Sequence, residues 1–357
     1  MPVVRADGVP SHPNDVTPEW LTTCLTESGA LSSGAVATVT IDQIRTSSTA
    51  HTARLRLEFG ANAGKQAPCS LFLKVSGGDT KFARFVEREC AFYSRKFPEG
   101  MPVARCYYTH YDSTSGIGTF LLDDLSDSHW NTPWPLPPSL PLCDAAVREL
   151  ARLHACCWVD PRSKAPRATG PQRQASDETS PYVERTLPKF LDYLGDRLPP
   201  ERRAIARLVS EKLPALLQHR TKQDMPTTLV HGDAHFWNVM LPKNRTRDRC
   251  IFIDWQTWAH GVGAFDLAYM IALHWYPDRR ARHERPLLRS YHKALGHDIT
   301  SRYVWDEFQF DYRLGHLSNL GAPIYQWDIG LFPAIWWPHL ERWFLTYNDL
   351  HCSELLQ

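Results

Sequence analysis

The 357-residue chain has no stretch approaching the roughly 18 apolar residues of a membrane-spanning helix, which argues against a transmembrane protein. Its opening, MPVVRADGVPSHPNDVTPEW, lacks an apolar core behind basic residues, so no secretory signal is expected. There is no C-x-x-C pair either, and nine cysteines stand singly except for Cys156 and Cys157. An odd set of scattered thiols without a secretion signal predicts reduced, buried cysteines and a cytoplasmic setting. A surplus of charge is also missing: 40 Lys and Arg against 39 Asp and Glu leave a net charge of +1. That excludes a chain-wide electrostatic grip on nucleic acid or on an anionic membrane, and neither partner is expected. No internal repeat is present, and oligomeric state has no signature in the sequence.

Hydrophobic residues make up 43% of the chain and charged residues 22%, a balance suited to a globular protein long enough for two lobes. Tryptophan is unevenly placed. Trp255, Trp258, Trp275, Trp305, Trp327, Trp336, Trp337 and Trp343 crowd the later part of the chain. They predict either a large aromatic core or a ring-lined pocket there.

Residues 36–75 read as strands: VATVTIDQI and ARLRLEF alternate, and SLFLKV is a short apolar run suited to a more buried strand. RTSSTAHT and GANAGKQAP between them have loop composition. A helix is predicted over 80–97 and two further strands over 107–111 and 118–122. The proline-rich NTPWPLPPSLP after LLDDLSDS cannot continue regular structure, which places a lobe boundary near 122–126. Helical periodicity then dominates, over 144–158, 182–194 and 200–218, with a polar, poorly periodic segment at 160–180. The expected architecture is a β-rich lobe over 1–125 and a helical lobe over 126–357.

Chemistry concentrates in LVHGDAHFWNVML, residues 229–241, where two histidines, an aspartate and an asparagine fall within eight residues. Three readings compete. His231, Asp233 and His235 could hold a metal, Asp233 and Asn238 could serve a Mg²⁺-nucleotide, or the segment could be a polar turn. The flanking sequence bears on the choice. Residues 239–241 and 250–253 are short apolar runs around the polar KNRTRDR, a β-hairpin pattern. A hairpin sets the start of its first strand beside the end of its second, and so Asn238 beside Asp254. An amide oxygen and a carboxylate are hard ligands, suited to Mg²⁺ rather than Zn²⁺. Asp233 precedes Asn238 by five residues. One carboxylate to take a hydroxyl proton, with two oxygen ligands for the metal, is the layout phosphoryl transfer needs.

Such a site also needs a lysine for the phosphates. Lys74 follows the apolar run of SLFLKV. On the next helix Phe82, Phe85, Val86, Glu89 and Tyr93 fall on one face, so Glu89 points inward while Glu87 points to solvent. An inward glutamate needs a cation, and Lys74 is the one at hand.

SLFLKV with Lys74, VERECAFY with Glu89, FLLDDLS, LVHGDAHFWNVMLP and IFIDWQTWAHGVGAFDLAYMIALHW together resemble the aminoglycoside phosphotransferase and choline kinase-like group, and within it the ecdysteroid kinase-like branch. The likeness spans about residues 40–350, and its last two motifs are the most specific. It implies an α+β, bilobal protein kinase-like fold with a β-rich N-terminal lobe, a mainly helical C-terminal lobe, and ATP and Mg²⁺ as cofactors. It implies Asp233 as catalytic base, Asn238 and Asp254 as Mg²⁺ ligands, and Lys74, backed by Glu89, on the α- and β-phosphates. Adenine would meet the connector backbone around Leu122, Asp123 and Leu125. His231 would be a hydrogen-bonding residue of the catalytic loop, and Asp266 in GAFDLA would brace that loop. Departures stand out too. The loop expected over the phosphates, RTSSTAHTAR, has no glycine, which leaves backbone amides and the hydroxyls of Ser47, Ser48 and Thr49 as donors. Gln256 stands where an acid often follows D-W, and the proline-rich insert has no counterpart. His154, beside Ala146, Leu150, Leu153 and Cys157, reads as a satisfied core histidine.

The acceptor pocket of the resembled folds is built from helices after the I-D-W motif. His235, a loop packer or substrate contact, and His274, Trp275, Tyr325, Trp327 and Asp328 are the candidates. Aromatics suit a flat or apolar acceptor, and the sparse acids speak against polycationic sugars. The expected activity is transfer of the ATP γ-phosphoryl group to an alcohol hydroxyl of a ring-containing metabolite or antibiotic, such as a steroid, nucleoside or polyketide. An aminoglycoside or choline-type kinase, a metal-dependent hydrolase on His231, Asp233 and His235, and a catalytically silent nucleotide-binding protein stay as alternatives.

Overall fold

Alternating branched and apolar residues build a five-stranded antiparallel sheet from the first third of the chain. The computed structural model describes residues 8–47, 49–62, 67–79, 81–159, 175–222 and 225–357, with only the backbone at 175–179. Its strands are β1 (Val36–Thr46), β2 (Ala50–Phe59), β3 (Ser70–Ser76), β4 (Cys106–Asp112) and β5 (Ile117–Asp123), in spatial order β1-β2-β3-β5-β4. A side-chain period of two puts Ala53, Leu55 and Leu57 on one face with Leu71, Leu73 and Val75. They bury against Leu21, Cys24 and Leu25 of helix α1 (Pro18–Glu27). Thr17 caps α1 by accepting the Trp20 N–H at 3.2 Å, and Pro18 fills the first turn, where no N–H is needed. The other face of β3 carries Lys74, in register with Thr52 of β2 and Phe120 of β5. Helix α2 (Ala83–Tyr93) packs on β4 and β5. Gly118 permits that approach, since a Cβ there would lie 2.5 Å from Val86 Cγ1 and 3.1 Å from Cys90 Sγ.

Strands invade the expected 45–52 loop. Arg45 pairs with Thr52 and Thr46 with His51, which leaves Ser47 and Thr49 outside the strands, and residue 48 lies outside the described residues. Ser47 closes the turn: its N–H and hydroxyl donate to the Ala50 carbonyl at 2.9 and 3.2 Å, and its oxygen accepts the Ala50 N–H at 3.0 Å. The flanking β-branched threonines favour strand, which the polar composition concealed. Helix α2 is shorter than the expected 80–97. It ends ahead of Phe97-Pro98, where proline disfavours helical backbone in the preceding residue.

Contacts divide the chain into two compact units, residues 1–131 with 240–257, and residues 132–239 with 258–357. The expected hairpin is present as the neighbouring strands Val239–Pro242 and Ile251–Phe252, and His129–Trp130 adds a third strand beside the first. Asn238 directly precedes this hairpin and Asp254 follows it by two residues.

The second unit is mainly helical. It holds α3 (Leu140–Cys156), α4 (Ala175–Leu194), α5 (Pro200–Lys222) and α6 (Gly263–Leu267), the last running into a π-helical turn, Ala268–Leu273. Then come α7 (Pro277–Ala294), α8 (His297–Thr300), α9 (Trp305–Ser318), α10 (Gly321–Asp328) and α11 (Pro333–Asp349). Most of the polar 160–180 segment, residues 160–174, lies outside the described residues. The core joins Phe190 and Leu191 of α4 to Leu213 of α5, Leu314 and Leu317 of α9, and Trp343 and Phe344 of α11. Of the late tryptophans, Trp255, Trp258, Trp275, Trp336 and Trp343 are at most 4% exposed, so the aromatic excess is chiefly core. Among the described residues no helix is long and apolar enough to cross a membrane. All nine cysteines are free thiols.

Candidate active site

In the first unit, β3 turns Lys74 away from the Leu73 and Val75 face. Its Nζ donates to both Glu89 carboxylate oxygens at 2.8 Å and to Asp254 Oδ1 at 3.0 Å. Glu89 is 2% exposed, while Glu87 on the same helix faces solvent. Burial works against the Lys74 ammonium, but the Asp254 and Glu89 carboxylates outweigh it and raise the pKa, so the charge is held. Burial lifts the Glu89 carboxyl above its usual range; Lys74 pulls it back only in part, and Asp254 adds to the rise. Asp254 has left-handed backbone, φ 66°, a region that aspartate enters more readily than most residues. Trp255 pins this turn by stacking on Phe92 of α2 at 4.1 Å and donating Nε1 to the Phe252 carbonyl at 3.0 Å. Gln256 donates Nε2 to Asp254 Oδ2 at 3.4 Å, whereas an acid at that position would repel the carboxylate.

The connector is tied down by its own bonds. Leu122 is buried, the Asp123 N–H donates to the Arg105 carbonyl at 2.9 Å, and the Asp123 carboxylate accepts the Tyr107 hydroxyl at 2.6 Å. The Leu125 carbonyl accepts the N–H groups of Ser128 and His129, while Arg54 reaches Asp124 and Asp127, each at 2.5 Å. Ser47 and Thr49 are exposed at the β1–β2 turn, and the Ser47 hydroxyl is engaged in closing it. Ser48 lies outside the described residues.

In the second unit, the strand Thr228–Val230 leads into the loop that carries Asp233. Gly232 turns the chain with φ 80°, a conformation open to glycine. Asp266 stands in the first turn of α6 at 3% exposure and accepts the N–H groups of His231 at 2.6 Å and Gly232 at 2.9 Å. Its Oδ2 faces His154 Nε2 at 3.2 Å, and His154 Nδ1 meets the Tyr291 hydroxyl at 2.6 Å. His154 is thus fully buried and engaged at both nitrogens. The Asp233 N–H donates to His231 Nδ1 at 3.3 Å. Asn238 Nδ2 donates to the Asp233 carbonyl at 3.0 Å and to Asp233 Oδ2 at 3.1 Å. This fixes the amide so that Asn238 Oδ1 is the group left for a cation. His235 caps the short turn Phe236–Asn238, its Nδ1 accepting the Asn238 N–H at 3.1 Å.

Sequence reasoning missed Tyr269. Its buried phenol faces the Asp233 carboxylate, and burial together with the Asp233 charge raises its pKa well above the ordinary tyrosine value. It stands three residues after Asp266, a helix-face spacing that would have pointed to it. His235 Nε2 lies 3.6 Å from Asp233 Oδ2, and its ring is 5.3 Å from that of His274. His274 Nδ1 meets the Tyr269 carbonyl at 2.6 Å. Burial, then His339 and His235, push the His274 pKa well below its usual value. The remaining acceptor candidates sort elsewhere. Trp275 is 1% exposed and stacks on Phe236 at 5.8 Å, inside the core. Tyr325 and Trp327 pack on Tyr182 and Phe190 of α4, and Asp328 accepts the Tyr182 hydroxyl at 2.7 Å.

Several solved structures share this architecture. A protein described as an aminoglycoside phosphotransferase, from Ralstonia eutropha JMP134, superposes with a TM-score of 0.55 at 16% identity, over 95% of this chain and 98% of its own. Choline kinase from Cryptosporidium parvum Iowa II gives 0.57 at 11% identity, over 89% and 91%. A choline/ethanolamine kinase family protein from Mesorhizobium loti gives 0.52 at 14% identity, over 89% and 91%. Such identities speak for the fold alone, and the chain has the α+β protein kinase-like fold of these proteins. No curated protein matches it. Residues 53–301, from β2 through the Asp266 brace to α8, match the ecdysteroid kinase-like family, and the chain belongs to that family of small-molecule kinase-like proteins.

Proposed function

We propose that the protein transfers the γ-phosphoryl group of ATP to an alcohol hydroxyl of a small ring-containing metabolite or antibiotic. The carrying observation is Lys74 held by two carboxylates, Glu89 and Asp254. Glu89 alone would complete a structural ion pair. The second carboxylate leaves a net negative cluster with a fixed ammonium, which complements a Mg²⁺-nucleotide. The donor set fits the metal: Asn238 Oδ1 and the Asp254 carboxylate are hard oxygens. Bound there, Mg²⁺ would neutralise phosphate charge. Lys74 orients the triphosphate, the connector around Leu122–Leu125 takes adenine, and the turn at Ser47, Ser48 and Thr49 covers the phosphates. Asp233 takes the hydroxyl proton as the new O–P bond forms and the bond from γ-phosphorus to the bridging oxygen breaks, releasing ADP. Asn238 holds the Asp233 carboxylate in one orientation, with the Tyr269 phenol beside it. The hydrolase reading is less favoured by the donors: His231 and His235 each use Nδ1 on a backbone N–H. Among the described residues no three His, Cys, Asp or Glu side chains are grouped to hold a metal.

Labelled ATP, Mg²⁺ and a pooled set of hydroxylated metabolites and antibiotics, read by mass gain, test the activity. Asp233→Asn is expected to keep ATP affinity and to lower turnover by about 10²–10⁴-fold, the range for a lost general base. Near-wild-type turnover would remove Asp233 from that role.

A further inference from the structure

The rings beside Asp233 lead to a charge that no carboxylate among the described residues answers. His235, His274 and His339 stand edge to face, with centroids 5.3 and 4.7 Å apart. Arg342 follows His339 by three residues on α11. It is 8% exposed, with its guanidinium over the Tyr276 ring at 4.1 Å. Among the described residues, Arg342 Nε has no hydrogen-bond partner and no carboxylate pairs with the guanidinium. The acids near it in sequence are engaged elsewhere, Glu341 with Arg202 and Asp349 with Arg280. The contrast within the unit is sharp. Buried Arg220 is paired with Asp311 and Glu307, and buried Arg280 with Glu284 and Asp349. A buried Nε without a partner, on a charge that no described carboxylate answers, is unfavourable, and folding alone gives no reason to keep it. Its field reaches the ring row. With burial the main cause, Arg342 helps push His339 down to about 3 and contributes at His274. His274 and His339 are therefore neutral imidazoles next to one fixed positive charge.

We propose that Arg342 anchors an anionic group of the acceptor, which is a ring-bearing hydroxy acid: its carboxylate pairs with Arg342 and its hydroxyl reaches Asp233 along the histidine row. The hydroxyl half rests on the phosphotransferase reading, and the anion half on the surroundings of Arg342 alone. A guanidinium held 4.1 Å over the Tyr276 ring can offer a carboxylate two parallel N–H donors. A choline-type or aminoglycoside cation would instead meet Arg342, with Asp233 as the one carboxylate among the ring-row contacts described.

Anion binding is read without turnover, using benzoate and benzamide, which differ in charge and little in shape. Benzoate is expected to raise the Tm of the full chain at fixed ionic strength, and benzamide is not. Arg342→Met loses the benzoate response and Arg342→Lys keeps a weakened one. Because no carboxylate among the described residues pairs with Arg342, and Met can still pack on the Tyr276 ring, Arg342→Met holds or raises the Tm without benzoate. No benzoate response in the wild type, an equal response to benzamide, a response surviving in Arg342→Met, or a lowered Tm of that variant would each overturn the proposal. In turnover, shikimate and cholate are compared with their methyl esters. At least tenfold preference for the acid in kcat/KM, lost in Arg342→Met, supports the proposal; preference for the ester overturns it. Arg342-dependent benzoate binding with no alcohol phosphorylated upholds the anion site and counts against the transferase reading.

Discussion

Lys74, at 17% side-chain exposure, answers two carboxylates, and removing it leaves Glu89 buried with no cation. Breaking a buried pair in this way costs about 3–5 kcal/mol. In Lys74→Met the Glu89 carboxyl, already raised by burial, rises further. A carboxyl whose folded pKa exceeds its unfolded value destabilises the fold as pH climbs through that interval, and not below it. Lys74→Met is therefore expected to trail the wild type by about 3 kcal/mol in urea denaturation at pH 8, with a smaller gap at pH 5. A gap that does not change with pH would mean that Glu89 is not the group left exposed to the loss. The inward turn of Glu89 was legible from its spacing with Val86 and Tyr93, which are buried, and with Phe82 and Phe85, which are half-buried. The left-handed Asp254 was not legible. It depends on Trp255 stacking against Phe92, a contact between segments far apart in the chain.

Between elements, the decisive contacts are close approaches. Helix α2 lies on β5 where Gly118 has no side chain, and that seat sets Glu89 over Lys74. Gly118→Ala would press a methyl group onto Val86 and Cys90. It is expected to lower stability by about 1–3 kcal/mol, the range for overpacking, and to weaken ATP binding with it. Unchanged urea midpoint and ATP affinity would show that α2 shifts freely and does not position Glu89. In the other unit, α6 passes into a π-helical turn, and that stretch carries Asp266 under the loop backbone and Tyr269 beside Asp233. π-Helical turns are uncommon and often mark functional places. Asp266 was expected as a brace from its motif, but Tyr269 becomes visible only once the turn is seen.

Across the helical unit, buried polar groups cross-link what the hydrophobic core packs. On α9, His316 Nε2 lies 3.0 Å from the Trp343 carbonyl of α11, and Trp343 Nε1 donates back to the His316 carbonyl at 2.9 Å. Burial pushes the His316 pKa down to about 3. The folded value lies below the unfolded one, so the unfolded chain takes up the proton first and stability falls as pH drops below the ordinary histidine range. Asp311 and Glu284, raised by burial, act in the opposite sense, so the informative quantity is a difference between proteins. From pH 7.5 to 5.5 the wild type is expected to lose about 1.4 kcal/mol more than His316→Gln, one pKa unit's worth of linkage. Parallel pH profiles for the two proteins would contradict a neutral, buried His316.

Local order alone determined a good deal of this protein. Alternation marked β2 and β3, helical periodicity marked α3 and α5, and the apolar runs around KNRTRDR marked the hairpin that follows Asn238. These follow from backbone geometry, which repeats over a few residues and leaves its period in the sequence. Only the tertiary structure decided which side chains share a neighbourhood: Lys74 with Asp254, Asp266 with the His231 and Gly232 amides, Tyr269 with Asp233, and Arg342 with no carboxylate among the described residues. Each depends on segments distant in the chain, whose packing leaves no period to read. The β1–β2 turn shows the same limit in reverse, since a polar stretch with loop composition is drawn into strand by the pairing on either side of it.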